Sequence, residues 1–151
     1  MAPGQGIPGP TGNAGLKLDH IGVAVANLEA ALRPYREALG LAPERVEEVP
    51  GEGVRAAFFT LGETELELLE PLDASGPIAG FLAKRGEGIH HLAVAVPNVE
   101  AAMERARAAG LRLLSEDPRP GAGGTRVCFV HPKDLGGVLL EFVERPARDE
   151  E

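Results

Sequence analysis

The amino-acid sequence predicts an α+β domain built from two tandem βαβββ modules, related by pseudo-twofold symmetry and forming one half-closed barrel with helices outside. Three observations lead to this prediction. The chain contains an internal repeat, each half shows the same order of strand and helix patterns, and 151 residues suit a single packed core. Two short modules sharing one core satisfy all three.

The repeat relates residues 18–38 to residues 89–109 at a constant offset of 71, and ten of those 21 positions are identical. A second correspondence, at an offset of 74, relates the segment LELLE at 66–70 to LEFVE at 140–144. We attribute the three-residue difference to a loop insertion. Because a repeated unit of this size cannot bury its apolar face alone, the two copies are expected to pack together.

Each half begins with a short strand rich in Val or Ile and continues into a helix. Asn27 and Asn98 are N-cap residues for helices predicted at 28–39 and 99–109. Gly40 and Gly110 supply their C-terminal stops. The first strand of module one is predicted at 20–25, and a short helix near 78–82. Further strands are predicted at 43–49, 54–61, 64–70, 112–115, 125–130 and 137–143. The strand pattern is weakest at 43–49 and 112–115.

The domain boundaries follow from composition. Residues 1–15 contain five Gly and three Pro and no Lys, Arg or long apolar run, so we expect a flexible arm and neither a secretory signal nor a transit peptide. Residues 16–146 form the predicted single domain, and residues 147–151 a flexible tail. Within the domain, module one spans about 16–72, the linker about 73–88 and module two about 89–146.

Composition also argues against several classes of partner. The formal charge of −8 and a pI near 5.0 are a poor match to a nucleic-acid backbone. No apolar run approaches the length of a membrane span. The single cysteine, Cys128, can form neither an internal disulfide nor a zinc–cysteine site, so we expect a small buried residue in a reduced cytoplasmic protein.

Four polar residues occupy matching positions in the two modules. Strand periodicity places His20 and His91 each on the same face as two small residues, which indicates a cavity on that face. Glu67 and Glu141 each lie between apolar residues that point the other way. A twofold axis would bring the four together as ligands for Co²⁺, Mn²⁺, Ni²⁺, Fe²⁺ or Zn²⁺, with two octahedral positions left for a chelating substrate.

Three other features receive simpler interpretations. His90 aligns with Asp19 in the repeat and is predicted to face away from the cavity, in a structural role. His131, in the segment HPKD, is predicted to stabilise a turn or to lie at the rim of the site. The glycine-rich segment at 121–124 lacks the strand-to-helix context of a phosphate-binding loop, so a flexible hairpin loop is the simpler interpretation.

The segments DHIGVAV, LELLEPL, GIHHLAVAV, GAGG, HPKD and GGVLLEFVER together resemble the methylmalonyl-CoA epimerases of the vicinal oxygen chelate superfamily, over about residues 17–145. The resemblance implies the vicinal oxygen chelate fold and a homodimer. It also implies a divalent metal, often cobalt, with Mn²⁺, Ni²⁺, Zn²⁺ or Mg²⁺ as alternatives. Carried over residue by residue, the metal ligands are His20, Glu67, His91 and Glu141.

The activity implied by this resemblance is the interconversion of (2R)- and (2S)-methylmalonyl-CoA. The C2 proton is removed and returned through a metal-chelated enolate, with Glu141 as one acid/base. In one branch of the family a second Glu follows a Gly-Val pair by two positions, and here that position is Ala56. Glu47, Glu48 and Glu52 lie nearby in sequence, and the sequence does not choose among them.

CoA carries phosphates, so an acidic protein that binds CoA needs a local basic edge. Arg126 and Lys133, which flank the glycine-rich segment and the HPKD turn, are the predicted phosphate-binding residues, and solvated surface charges are the alternative. Two other functions fit the same fold. One is a glyoxalase-type metal-dependent lyase, and the other is a non-enzymatic small-molecule sequestering protein of the bleomycin-resistance type.

Overall fold

The computed structural model describes residues 15–147. Apart from Gly15 and Ala147, the predicted arm at 1–15 and the predicted tail at 147–151 lie outside the described residues. Within residues 15–147, no helix combines the length and the apolar character needed to cross a bilayer.

The described residues form eight strands and three α-helices, together with short 3-10 turns at Pro50–Glu52, Ala122–Gly124 and Pro132–Leu135. Strands and helices alternate in the order expected for two modules and a linker. In chain order they are β1 (Lys17–Ala24), α1 (Leu28–Leu39), β2 (Arg45–Val49), β3 (Val54–Leu61), β4 (Thr64–Pro71), α2 (Pro77–Arg85), β5 (Gly88–Ala95), α3 (Val99–Ala108), β6 (Arg119–Pro120), β7 (Arg126–Val130) and β8 (Leu140–Glu144).

All eight strands belong to one curled sheet in the order β2-β3-β4-β1-β5-β8-β7-β6. The first strands of the two modules, β1 and β5, pair antiparallel at its centre. Each of them also pairs in parallel with the last strand of its own module, β1 with β4 and β5 with β8. This arrangement is the predicted α+β fold with pseudo-twofold symmetry, and the half-barrel prediction is confirmed.

The outer face of the sheet is covered by one helix in each module. Leu28 and Leu32 of α1 pack on module one, and Val99 and Met103 of α3 pack on module two, next to the buried free thiol of Cys128. The predicted caps form, because the side chains of Asn27 and Asn98 accept hydrogen bonds from the backbone N–H groups three residues further along the chain.

Repeated glutamates add a second cap to the same helices. Glu70 accepts a hydrogen bond from the Leu28 N–H at 2.7 Å, and Glu144 accepts one from the Val99 N–H at 2.9 Å. Both glutamates sit at the ends of the repeated segments LELLE and LEFVE. Each therefore ties its module's last strand to the exposed donors of the helix N-terminus.

The concave inner face is closed differently in the two modules. In module one, α2 packs Ile78, Phe81 and Leu82 over apolar residues of β1, β3 and β4. In module two the inner face carries a smaller apolar cluster, and Gly121 lies against Thr125 and Val127 so closely that a Cβ atom there would overlap them. The pseudo-twofold symmetry therefore does not extend to the inner face. Helix α2 covers that face in module one, and module two has the glycine-rich segment at 121–124 there.

Three predicted elements differ from the structure. Instead of a strand at 112–115 the chain makes one isolated bridge, between Leu113 and Val130, and then turns at Ser115, whose hydroxyl donates to the carbonyl of Asp117. The last strand begins at Leu140 rather than at 137, since Gly136 and Gly137 have positive φ angles. The linker helix is longer than predicted and spans Pro77–Arg85.

Candidate metal centre and active site

The four predicted ligand residues meet on the inner face of the four central strands. The Nε2 atom of His20 lies 3.0 Å from Glu67 Oε2, 2.9 Å from Glu141 Oε1 and 3.1 Å from His91 Nε2. Glu141 Oε1 is also 3.5 Å from His91 Nε2. The four side chains are only 5 to 12% exposed, so the cluster has limited access to water.

Strand register explains why these side chains converge. Gly22 on β1 lies opposite both Glu67 on β4 and His91 on β5. In the symmetry-related row, Ala93 on β5 lies opposite His20 on β1 and Glu141 on β8. A small residue thus separates two larger polar ones in each row. At Gly22 the requirement is strict, because an added Cβ would overlap the His91 ring.

The geometry fits a divalent metal ion. Two ligand atoms that bind one transition-metal ion at about 2.1 Å and at a right angle lie about 3.0 Å apart, close to the separations within this cluster. His20, Glu67 and His91 each offer an atom for a shared ion, all within 4.8 Å of one another. The Oε1 atom of Glu141 is buried between the Nε2 atoms of His20 and His91, at 2.9 and 3.5 Å, where a shared cation would balance its charge.

Behind the cluster, His20 is held by a buried carboxylate. Its Nδ1 donates to Asp19 Oδ2 at 2.7 Å, and Arg145 binds the same carboxylate through two hydrogen bonds of 2.7 and 2.8 Å. This arrangement fixes the imidazole with Nε2 toward the other ligands. The Asp–His pair is therefore the usual support of a metal-binding histidine.

Hydrogen bonds and neighbouring charges strongly shift the pKa values of Asp19 and His20. Burial would raise the pKa of Asp19, but hydrogen bonds from His20 and Arg145 outweigh it and hold that pKa well below its usual range. Burial would likewise lower the pKa of His20. Hydrogen bonds to Asp19, Glu141 and Glu67 outweigh it and raise the pKa of His20 far above its usual value.

His91 has a different support. Its Nδ1 atom lies 3.0 Å from Nδ1 of His90, whose ring packs edge-on against Phe81. Burial lowers the pKa of His90, and burial together with electrostatic interactions with His20 and His90 lowers the pKa of His91 to about 3. His91 is therefore neutral and ready to bind a metal through Nε2 while its Nδ1–H donates to His90.

The sequence did not reveal the roles of Asp19 and His90. The repeat predicts only a structural role for His90 on the opposite face, whereas in the structure its ring nitrogen lies 3.0 Å from that of His91 and supports it, as Asp19 supports His20. The signal was present in the repeat, because both residues directly precede a predicted ligand histidine. Arg145 left no such signal, since it lies 126 positions from Asp19 and only the fold brings them together.

Glu52 is an additional acidic group beside the cluster. It ends the 3-10 turn that precedes β3 and has exposed surface, although its carboxyl group lies among enough protein atoms to be partly desolvated. Burial raises the pKa of Glu52 to about 7, with further contributions from the carboxylates of Glu141 and Glu67, while the backbone of Ala122 acts in the opposite direction. Ala56, the position of a second Glu in one family branch, is fully buried.

Within residues 15–147, neither predicted phosphate-binding residue forms a hydrogen bond or an ion pair with the His–Glu cluster. Arg126 forms ion pairs with Glu100 and Glu144. Lys133 is exposed in the 3-10 turn Pro132–Leu135, where its backbone N–H donates to His131 Nδ1 at 3.1 Å. The turn-stabilising interpretation of His131 thus agrees with the structure, and the assignment of Arg126 and Lys133 to CoA stays a prediction.

Comparison with known proteins gives consistent results. Residues 19–129 match the Glyoxalase/Bleomycin resistance protein/Dioxygenase superfamily. The chain is 45% identical to the ethylmalonyl-CoA/methylmalonyl-CoA epimerase of Cereibacter sphaeroides, over 83% of this chain and 96% of that protein. It is 42% identical to the human mitochondrial methylmalonyl-CoA epimerase, over 90% of this chain and 77% of that protein.

A solved structure gives the same match in three dimensions. The Streptomyces coelicolor methylmalonyl-CoA epimerase, a variant in complex with 2-nitronate-propionyl-CoA, superposes with a TM-score of 0.81 at 38% identity. The alignment covers 86% of this chain and 97% of that one.

The raised pKa of His20 leads to a prediction about metal binding. His20 holds a proton at neutral pH, whereas a metal ligand must be the neutral imidazole, so binding of Co²⁺ should release about one proton per ion. The apparent affinity should then rise about tenfold per pH unit as long as His20 stays protonated in the free protein. Calorimetric titration in two buffers of different ionisation enthalpy measures the proton count. An affinity that is flat with pH would contradict the prediction.

The support of His20 can be tested by Asp19→Asn. An Asn amide can donate to Nδ1, which moves the imidazole hydrogen onto Nε2, the atom that faces the other ligands. The affinity for Co²⁺ should fall by about 10- to 100-fold. The matched control is Glu65→Gln, because Glu65 also lies beside Arg145, at 3.7 Å, without contacting His20 through a hydrogen bond. Equal affinities of the two variants would show that Asp19 does not position the ligand.

Proposed function

Since the chain belongs to the glyoxalase/bleomycin resistance protein/dioxygenase superfamily and, within it, to the methylmalonyl-CoA epimerase family, we propose that it interconverts (2R)- and (2S)-methylmalonyl-CoA. The observation that carries this proposal is the cluster of His20, Glu67, His91 and Glu141 on the inner face of the sheet. Relatives named methylmalonyl-CoA epimerase match most of the chain, and one was solved with a substrate analogue.

The reaction needs a site that tolerates developing negative charge. The C2–H bond of the substrate lies between a thioester carbonyl and a carboxylate, and both oxygens can take up the charge left when the proton departs. A divalent cation held by His20, Glu67, His91 and Glu141, which we propose to be Co²⁺ with Mn²⁺, Ni²⁺, Zn²⁺ or Mg²⁺ as alternatives, supplies Lewis-acid stabilisation of that charge.

The chain's own residues then have distinct tasks. Asp19 and Arg145 keep Nε2 of His20 turned toward the cluster, and His90 does the same for His91. Glu141, the least exposed of the four side chains, removes or returns the C2 proton on one face of the substrate.

Inversion at C2 requires proton exchange on the opposite face as well. We propose that Glu52 serves there, in place of the carboxylate that one family branch has at the position of Ala56. Its turn precedes β3, and its carboxylate is close enough to Glu141 and Glu67 to interact with both. A carboxyl group that is half protonated near neutral pH can both give and accept a proton.

Three further statements are proposed on the family resemblance and on composition. The protein forms a homodimer and acts in the cytoplasm. Its domain spans 16–146, with module one at about 16–72, the linker at about 73–88 and module two at about 89–146.

The proposed activity is tested with the metal-loaded protein and (2S)-methylmalonyl-CoA in D₂O. We expect formation of the (2R) epimer with deuterium at C2, because the proton passes through groups that exchange with solvent. The matched control is His91→Ala, which removes one ligand and should abolish turnover. If neither deuterium nor the (2R) epimer forms, the epimerase proposal is wrong. Turnover of a glutathione adduct would then indicate a lyase, and ligand binding that ignores chelators would indicate a sequestering protein.

The role of Glu52 is tested with Glu52→Gln. Epimerisation should fall by about 10²- to 10⁴-fold, while one epimer should still exchange its C2 proton with D₂O, because Glu141 continues to act on one face. The matched control is Glu47→Gln, an acidic residue on β2 opposite Ala56 for which we expect little change. Full epimerisation by Glu52→Gln, or loss of exchange from both epimers, would contradict the assignment.

A further inference from the structure

The imidazole of His91 is held on three sides. Its ring lies over Gly22, where an added Cβ would overlap it, and it packs edge-on against Phe129 with the ring centroids 5.9 Å apart. On the third side, the Nδ1 atom of His90 lies 3.0 Å from Nδ1 of His91. Packing therefore restricts rotation of the His91 ring, while the hydrogen bond with His90 governs which of its nitrogens carries the hydrogen.

Two facing Nδ1 atoms of neutral imidazoles share a single hydrogen. If Nδ1 of His91 carries it, Nε2 of His91 has a free lone pair that can bind a metal ion. If Nδ1 of His90 carries it, the hydrogen of His91 is on Nε2 and blocks that atom as a ligand. The orientation and tautomer of His90 therefore decide whether His91 can bind metal.

The ring of His90 is in turn placed by helix α2. Phe81 packs edge-on against it, with the ring centroids 5.2 Å apart and the ring planes at 85°. Phe81 also packs on the apolar inner-face cluster of module one, which fixes its own position. A perpendicular aromatic contact restricts rotation of the His90 ring and so keeps its Nδ1 turned toward His91.

The repeat relates this support to the one on the other side of the site. Asp19 and His90 occupy matching positions, each directly before a predicted ligand histidine. Arg145, which binds Asp19, follows the last strand of module two. Phe81, which packs on His90, lies in the helix that follows the last strand of module one. Each histidine is thus supported by a segment that leaves the other module.

We propose that Phe81 is a positioning residue of the metal centre and that it acts through His90. Helix α2 contributes to the site without supplying a ligand, because it keeps Nδ1 of His90 in place to accept the hydrogen of His91. The proposal rests on the metal centre of the function proposed above. It implies that the packing of α2 on module one and the affinity for metal are energetically coupled.

The first test measures the affinity of the full chain for Co²⁺ by calorimetry. Phe81→Leu keeps an apolar side chain but removes the ring, and should lower the affinity by about three- to tenfold. His90→Phe keeps a ring against Phe81 but removes the acceptor, and should lower the affinity by about 10- to 100-fold. The matched control is Leu82→Met, because Leu82 packs on the same apolar cluster from the next position of α2. We expect this control to leave the affinity unchanged.

A double-mutant cycle decides whether Phe81 acts through His90. In His90→Asn the amide oxygen can still accept the hydrogen of His91 Nδ1, but no ring remains for Phe81 to orient. Phe81→Leu should then have no further effect on the affinity. An equal loss of affinity in both backgrounds would overturn the proposal, and so would an unchanged affinity in Phe81→Leu.

The tautomer of His91 is a second readout, and it requires no metal. Two-bond ¹H–¹⁵N spectra of the metal-free protein show which ring nitrogen carries the hydrogen. We expect Nδ1–H in the unmodified chain and in Leu82→Met, and a mixture of tautomers in Phe81→Leu. If the unmodified chain shows this pattern but binds no Co²⁺, the metal centre of the proposed function is wrong and the role of Phe81 stands. An Nε2–H tautomer in the unmodified chain, or no change in Phe81→Leu, would overturn the proposal.

Discussion

The structure depends on the antiparallel pairing of β1 with β5 at the centre of the sheet. This pairing puts His20 next to Ala93 and His91 next to Gly22, and the parallel neighbours β4 and β8 then bring in Glu67 and Glu141. A slip of one residue in any of these registers would turn a ligand-type side chain to the helix-covered face. The small residues between the ligands are as necessary as the ligands, since a Cβ at position 22 would collide with the imidazole.

The two modules share a fold but support their histidines differently. His20 rests on the Asp19–Arg145 pair, and its hydrogen bonds to carboxylates raise its pKa, whereas His91 rests on His90, and burial lowers its pKa. The linker helix α2 also covers the inner face of only one module. A duplicated scaffold has thus acquired one site with two unequal sides, which suits a reaction that needs different groups on opposite faces of one carbon atom.

The net charge of the whole chain does not describe the charge around the binding site. The acidic excess of the whole chain coexists with a cavity between α2, β5 and the segment before β8, whose lining includes Lys84 and Arg85 and no acidic residue. Two of the carboxylates that contribute to the excess, Glu67 and Glu141, lie within the central cluster at 3.0 Å or less from Nε2 of His20. The local arrangement of charge, rather than the total, decides which partners can approach the site.

The sequence by itself determined the duplicated architecture and the four central polar residues, because strand periodicity and the repeat are local signals that survive without knowledge of contacts. It also showed that alanine occupies position 56, where one branch of the family has its second glutamate. Only the tertiary structure decided which groups surround the ligands. Arg145 joins Asp19 across 126 positions, Glu52 comes beside the cluster through the path of a turn, and α2 builds a cavity with the segment before β8. These contacts depend on the curvature of the sheet and on where the linker packs. Neither can be inferred from the periodicity of the sequence.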